Sequence, residues 1–162
     1  MSTLVSIAIS GISDTFAIHG FASDGLHDVR YYSLKRFEQV FDDETKGRLL
    51  AMQGGLSTRM GAAMRHAGHH LSLRAENRKM LLIVTDGSPA DIDERDPQHL
   101  RMDAKKAAEE LHTHGIMSCC LKLDPSADHY VKRIFGQNHF NVIDNVQRLP
   151  EKLSAIFASL TN

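Results

Sequence analysis

The chain has 162 residues, 42% hydrophobic and 24% charged, with 19 Lys and Arg against 20 Asp and Glu. That is most simply one globular domain with room for a core, and a formal net charge of -1 gives no field favouring nucleic acid or an anionic membrane. No apolar stretch reaches the roughly 18 residues of a spanning helix, and no basic region precedes the short apolar stretch at the N-terminus, so a secretion signal is not expected.

Residues 15–21 (TFAIHGF) and 28–34 (DVRYYSL) read as strands joined through the turn ASDGLHD. Residues 42–52 read as a short helix carrying Leu49, Leu50 and Met52. GGLSTRMG is then a flexible loop opening a helix over about 58–73, on which Met60, Ala63, Met64, Ala67 and Leu71 form one apolar stripe. Lys79–Thr85 reads as a strand that runs into the acidic stretch DGSPADIDERD. Asp96-Pro97 is a helix start, an N-cap followed by proline at the first helical position. Leu100, Ala104, Ala107 and Leu111 share a face, and Gly115 supplies the stop.

Ile116–Leu123 is the next strand and holds both cysteines, Cys119 and Cys120. Neighbours on a strand point to opposite faces, so the expectation is two reduced thiols in a cytoplasmic protein. Asp124-Pro125-Ser126 leads into a helix through Phe135, closed by Gly136. FNVID is the last strand, and Pro150 opens a final helix with Leu153, Ile156, Phe157 and Leu160 inward. No repeat, low-complexity tract or linker interrupts residues 1–162, which read as a single domain.

From residue 79 onward strand and helix alternate, and the strands are almost continuously apolar. That pattern predicts an α/β fold with a mainly parallel sheet covered by helices on both faces. Ligands of such sheets gather at the carboxyl ends of the strands. Asp86 stands at one such end, and the GGLSTRMG loop reaches the same rim if it folds back over it. Thr58 and Asp86 together offer hard oxygen donors suited to Mg2+ or a similar divalent cation. Thr and Asp at loop ends are also ordinary caps and turn residues, and Ser57 is an equal candidate for the N-cap. Asp91, Asp93, Glu94 and Asp96 read as solvated loop acids and a helix cap.

The 10 histidines supply a rival centre. His66, His69 and His70, at i, i+3 and i+4, have a spacing that can converge on zinc. The helical wheel sets them away from the apolar stripe, and no His-Glu-x-x-His pattern exists, so they read as surface residues. His112 and His114 read as residues favoured at a helix C-terminus, and His19 as a core or interface histidine. GGLSTRMG lacks the lysine of a phosphate-binding loop, and there is no Gly-x-Ser-x-Gly elbow. No catalytic centre is evident.

The strand ending in TDG, preceded by the loop GGLSTRMG opening a helix, resembles two parts of the metal-ion-dependent adhesion site of von Willebrand factor A (VWA) domains. FAIHGFASDGLHDVRYYSLKRF, MQGGLSTRMGAAMRHAGHHL, LLIVTDGSPADIDERDPQHLRMDAKKA and LPEKLSAIFASLT look like one bacterial branch, the C-terminal VWA domain of accessory proteins that partner MoxR-type AAA+ ATPases. That branch includes the nitric-oxide-reductase activation protein and the VWA subunit of a Rubisco activase, and the likeness covers residues 12–162. It implies a Rossmann-like VWA fold with Thr58 and Asp86 as metal ligands. It also implies a rim, with Gly55, Ser57, Arg59, Ser88 and Asp91, that binds a partner through an acidic side chain completing the metal's coordination. The implied role is a non-catalytic adaptor coupling the ATPase to a client enzyme.

The family's first metal motif, Asp-x-Ser-x-Ser, has no counterpart in MSTLVSIAISGISDT upstream of FAIHGF. The resemblance therefore implies an N-terminally incomplete domain lacking the usual first strand and most of the first helix. Residues 2–11 would be the tail of that helix or a replacement strand, and the exposed sheet edge would invite a second copy of the chain. Two other functions stay open: a degenerate VWA remnant with a structural or assembly role, and a zinc hydrolase built on His66, His69 or His70.

Overall fold

The computed structural model describes residues 15–51, 59–85, 89–122, 128–136, 140–142 and 148, with positions 151, 152, 155 and 158 of a C-terminal stretch. The expectations for residues 2–11, for Asp124-Pro125-Ser126 and for Leu153, Ile156, Phe157 and Leu160 lie outside them. The described residues pack as two compact units, one drawn from 1–20, 32–55 and 143–162, the other from 21–31 and 56–142.

Strands β1 (Ile18–Ser23) and β2 (Val29–Lys35) form a two-stranded sheet. Only residues 24–28 connect them, too few for a crossover, so the pair is an antiparallel hairpin. Its tip closes with the Asp24 N–H donating to the Asp28 carbonyl at 2.9 Å, and Gly25 takes a φ of 85° that a side chain would strain.

In the first unit, α1 (Asp43–Leu50) is capped by Asp42, whose carboxylate accepts from the Thr45 N–H at 2.9 Å. It buries Thr45 and Leu49. The Lys35 side chain is also buried. Its ammonium donates to the Phe16 carbonyl at 2.7 Å and lies 4.1 Å from the centre of the Phe16 ring, so the charge is solvated by oxygen and π-electrons.

The second unit carries a parallel sheet of β3 (Lys79–Thr85), β4 (Ile116–Lys122) and β5 (Phe140–Val142), in the order β3-β4-β5. Lys79 stands opposite Ile116, Thr85 opposite Lys122, and Cys120 opposite Phe140. Helices α2 (Met60–Ser72), α3 (Pro97–Thr113) and α4 (Asp128–Phe135) supply the rest of the core. Met60 and Met64 of α2, Ala104, Ala107 and Leu111 of α3, and Val131, Ile134 and Phe135 of α4 cluster with Ile83, Ile116 and Cys120. The apolar stripes read at 3.6-residue spacing are the faces that pack. Both cysteines are buried thiols, and burial pushes Cys119 up to about 11, so it behaves as a small hydrophobe.

Local signals set the ends of these elements. Asp96 caps α3 by accepting from the Gln98 N–H at 2.9 Å with Pro97 next, and Gly115, at a φ of 71°, lets the chain leave the helix. The cap position of α2 falls on Arg59 and carries no side-chain cap, unlike the expectation for Ser57 or Thr58. Helices α2 and α3 approach closely because Gly61 and Gly68 lack side chains: a Cβ on Gly61 would meet Asp103, and one on Gly68 would meet Leu111. The chain is thus mixed α/β, with small parallel and antiparallel sheets and flanking helices. No helix among the described residues is long and apolar enough to cross a membrane.

Candidate functional site

Strand β3 ends at Thr85, which is buried, so Asp86 follows directly from the strand's carboxyl end. Asp86, Thr58, Gly55, Ser57 and Ser88 themselves lie outside the described residues. Arg59 and Asp91 do not, and the structure brings them together with Asp93 and the tip of the β1–β2 hairpin, which the linear pattern does not announce.

The Arg59 guanidinium donates from Nε to Asp91 Oδ2 at 2.8 Å and from Nη2 to Asp93 Oδ1 at 2.6 Å. The second oxygen of each carboxylate turns to the hairpin tip. Asp91 Oδ1 accepts from the Gly25 N–H at 2.9 Å, and Asp93 Oδ2 accepts from the Leu26 N–H at 2.6 Å. The Arg59 backbone N–H donates to Ser23 Oγ at 3.1 Å. One arginine and two acids therefore tie the start of α2, the loop after β3 and the hairpin tip into one clamp. Gly25 is needed twice, for its positive φ and because a Cβ there would press on Asp93 at 3.2 Å.

Asp91 is not the solvated loop acid that its neighbourhood in the sequence implies. Its side chain is 0% exposed and that of Arg59 13% exposed, because the surrounding donors replace water. Burial by itself would raise the Asp91 carboxyl. Donation from Gly25, Ser23, Ile92 and Arg59 outweighs it and holds the group below the ordinary aspartate value. Glu94 is likewise engaged, accepting from the Asp96 N–H at 2.9 Å and contacting His99 Nδ1 at 2.5 Å.

Leu26 and Ile92 are large apolar side chains left exposed, although their backbone neighbours are held by the clamp. Sequence reasoning passed over both, and over Asp93 as a tie. The available signal was the alternation Asp91-Ile92-Asp93, two acids turned to the clamp around one outward apolar residue.

The same unit holds two further polar clusters. Arg65 of α2 donates to Asp103 at 2.9 Å and to Glu110 at 2.6 Å, both on α3. On the last turns of α2, His66 and His70 bring their Nε2 atoms to 3.3 Å, and the Tyr31 ring of β2 packs against both. His70 is half-buried rather than a plain surface residue. Burial, with His66 and His69 adding, lowers its pKa and favours the neutral ring. Burial also pushes the Tyr31 phenol up to about 12. His114 caps α3, its Nδ1 2.7 Å from the Glu110 carbonyl. Among the described residues, no three His, Cys, Asp or Glu side chains gather as a metal-binding group.

No protein-family model matches the sequence. The chain is 38% identical over 140 residues to Protein NorD of Stutzerimonas stutzeri, covering 86% of this chain and 23% of that protein. Protein NorD of Brucella melitensis is 33% identical over 152 residues, 94% of this chain and 24% of its own length. An uncharacterized protein of Pseudomonas aeruginosa is 33% identical over 153 residues, 94% and 25% respectively. The chain thus spans about a quarter of the length of the relatives it matches. In three dimensions it is similar to proximal thread matrix protein 1 from the mussel byssus, with a TM-score of 0.64 over 96% of this chain and 39% of that one. At 14% identity that likeness concerns the fold alone.

Proposed function

We propose that this chain is a non-catalytic accessory module of the nitric-oxide-reductase activation type, a VWA-like adaptor that receives a partner protein on the rim beyond β3. The observation that carries this reading is the clamp. It holds two apolar side chains, Leu26 and Ile92, outward around a desolvated Arg59–Asp91 pair. Rigid apolar anchors beside satisfied polar groups are what a protein-binding surface needs. The relatives named NorD, at 38% and 33% identity, support the accessory role. Coupling of a MoxR-type AAA+ ATPase to a client enzyme is the finer proposal.

Thr58 and Asp86 would hold a divalent cation such as Mg2+, which would offer a coordination position to a partner carboxylate. Their hard oxygens fit such an ion, but the donor set is thin, because Asp91 is already bonded to Arg59 and the hairpin. Arg59 and Asp91 hold the loops in place rather than ligate. A second reading is a structural remnant that no longer uses a metal, which fits a rim whose Asp91 is committed to Arg59 and the hairpin.

The test is binding of the chain to a MoxR-type ATPase by interferometry, with Mg2+ and with EDTA. An adaptor loses at least tenfold in affinity in Ile92→Asp and Leu26→Asp, whose exposed positions leave the fold intact. A metal-using rim also loses binding in Asp86→Ala and in EDTA. Binding by wild type that ignores Asp86→Ala and EDTA assigns the chain to the metal-free reading. No loss in any variant ends the rim proposal.

A further inference from the structure

The C-terminal half of α2 has a geometry that the rim does not use. His66 and His70 lie one turn apart, their Nε2 atoms are 3.3 Å apart, and their rings meet edge-on with centroids 4.9 Å apart and planes at 80°. Tyr31, reaching over from β2, sets its ring edge against His66 at 4.3 Å and lies nearly parallel to His70, at 14° and 6.2 Å. His66 and His69 are both exposed, but the His69 ring meets His70 only at 6.1 Å, tilted by 59°.

Without a metal, two imidazole nitrogens at 3.3 Å share one proton: one ring donates and the other accepts. The same spacing is the bite of a metal ion. Nitrogens bound at about 2.0–2.1 Å to a tetrahedral zinc ion sit about 3.3 Å from each other. The two nitrogens are therefore already at chelating distance. On binding a cation the donating ring gives up its Nε2 proton and takes the Nδ1–H tautomer, so that both Nε2 lone pairs face the ion. Residues at i and i+4 on a helix have Cβ atoms about 5–6 Å apart, so the backbone sets the two rings side by side.

We propose that His66 and His70 form a two-imidazole site for a divalent transition-metal ion. Imidazole selects zinc, copper or nickel over magnesium, so the ion differs in kind from any held by Thr58 and Asp86. Tyr31 is a positioning residue, fixing the ring orientations as an outer-shell group does. Water, or a donor from a second molecule, completes the coordination. The inference is independent of the rim and of any catalytic role.

The test uses the chain without a histidine tag and Zn2+ alone, titrated by calorimetry, with circular dichroism on each variant to confirm folding. The expected result is one ion per chain, and a melting temperature that rises with Zn2+. Affinity falls at least tenfold in His66→Ala and in His70→Ala and is unchanged in His69→Ala. Tyr31→Phe keeps the affinity and Tyr31→Ala weakens it several-fold. With Cu2+ as a probe, electron paramagnetic resonance shows two nitrogen ligands in the wild type and one in His66→Ala. Three results overturn the proposal: no binding, binding that survives loss of His66 and His70 together, or loss of binding in His69→Ala.

Discussion

Arg59 and Arg65 each hold two carboxylates, yet under different conditions. Arg59 is 13% exposed and its partner Asp91 0%, whereas Arg65, Asp103 and Glu110 are each about a third or more exposed. Water can replace a lost partner around Arg65 but cannot reach Asp91. The same ion-pair chemistry is therefore a structural requirement in one place and a modest surface contact in the other.

Asp91→Ala breaks that comparison most sharply. It leaves a poorly solvated guanidinium and an unbonded hairpin tip, at a cost of about 3 kcal/mol. Asp93→Ala, at the partly exposed end of the clamp, costs well under half of that. Urea denaturation checks both, and equal losses would mean that the clamp does not depend on burial. Next comes Gly61→Ala, which forces Asp103 and its backbone away from α2 and costs about 2 kcal/mol. Gly68→Ala meets only the tip of Leu111 first. A rotamer change and a gain in helix propensity of about 1 kcal/mol leave it nearer neutral in the same assay.

Arg65→Ala sharpens the comparison from the exposed side, with a loss of about 1 kcal/mol or less. That loss shrinks further in 1 M salt because exposed pairs are screened, whereas the penalty of Arg59→Ala persists in salt.

The smallest effect is in the acid limb. The Asp91 carboxyl lies below its ordinary value, so its stabilisation is present above the unfolded aspartate value and is lost as pH falls through the folded one. Wild type should therefore weaken more steeply than Asp91→Asn on acidification below about pH 5. Parallel curves from thermal melts at stepped pH would remove Asp91 as the cause.

The two arginines also differ in how far they could be read in advance. Asp103 and Glu110 are seven residues apart on one helix, so their common face follows from the helical period. Asp91 and Asp93 lie in a loop with no period, and their hairpin partners Gly25 and Leu26 are 66 and 67 residues away. Sequence proximity makes them look like one solvated acidic run. The histidines behave similarly: the i, i+4 spacing of His66 and His70 was visible, but the Tyr31 ring packed against both comes from a strand elsewhere in the chain.

What the sequence determined by itself is local or periodic. Strand Lys79–Thr85, the Asp96-Pro97 helix start, the Gly115 and Gly136 stops and the stripes through Met64 and Ala104 are all found where backbone dihedrals and 3.6-residue spacing put them. Tertiary structure alone decided which acids are buried, which glycines admit a neighbouring helix and which apolar residues are left outside. Those outcomes depend on atoms brought together from distant parts of the chain, and on the exclusion of water that follows, neither of which is encoded in any short stretch of residues.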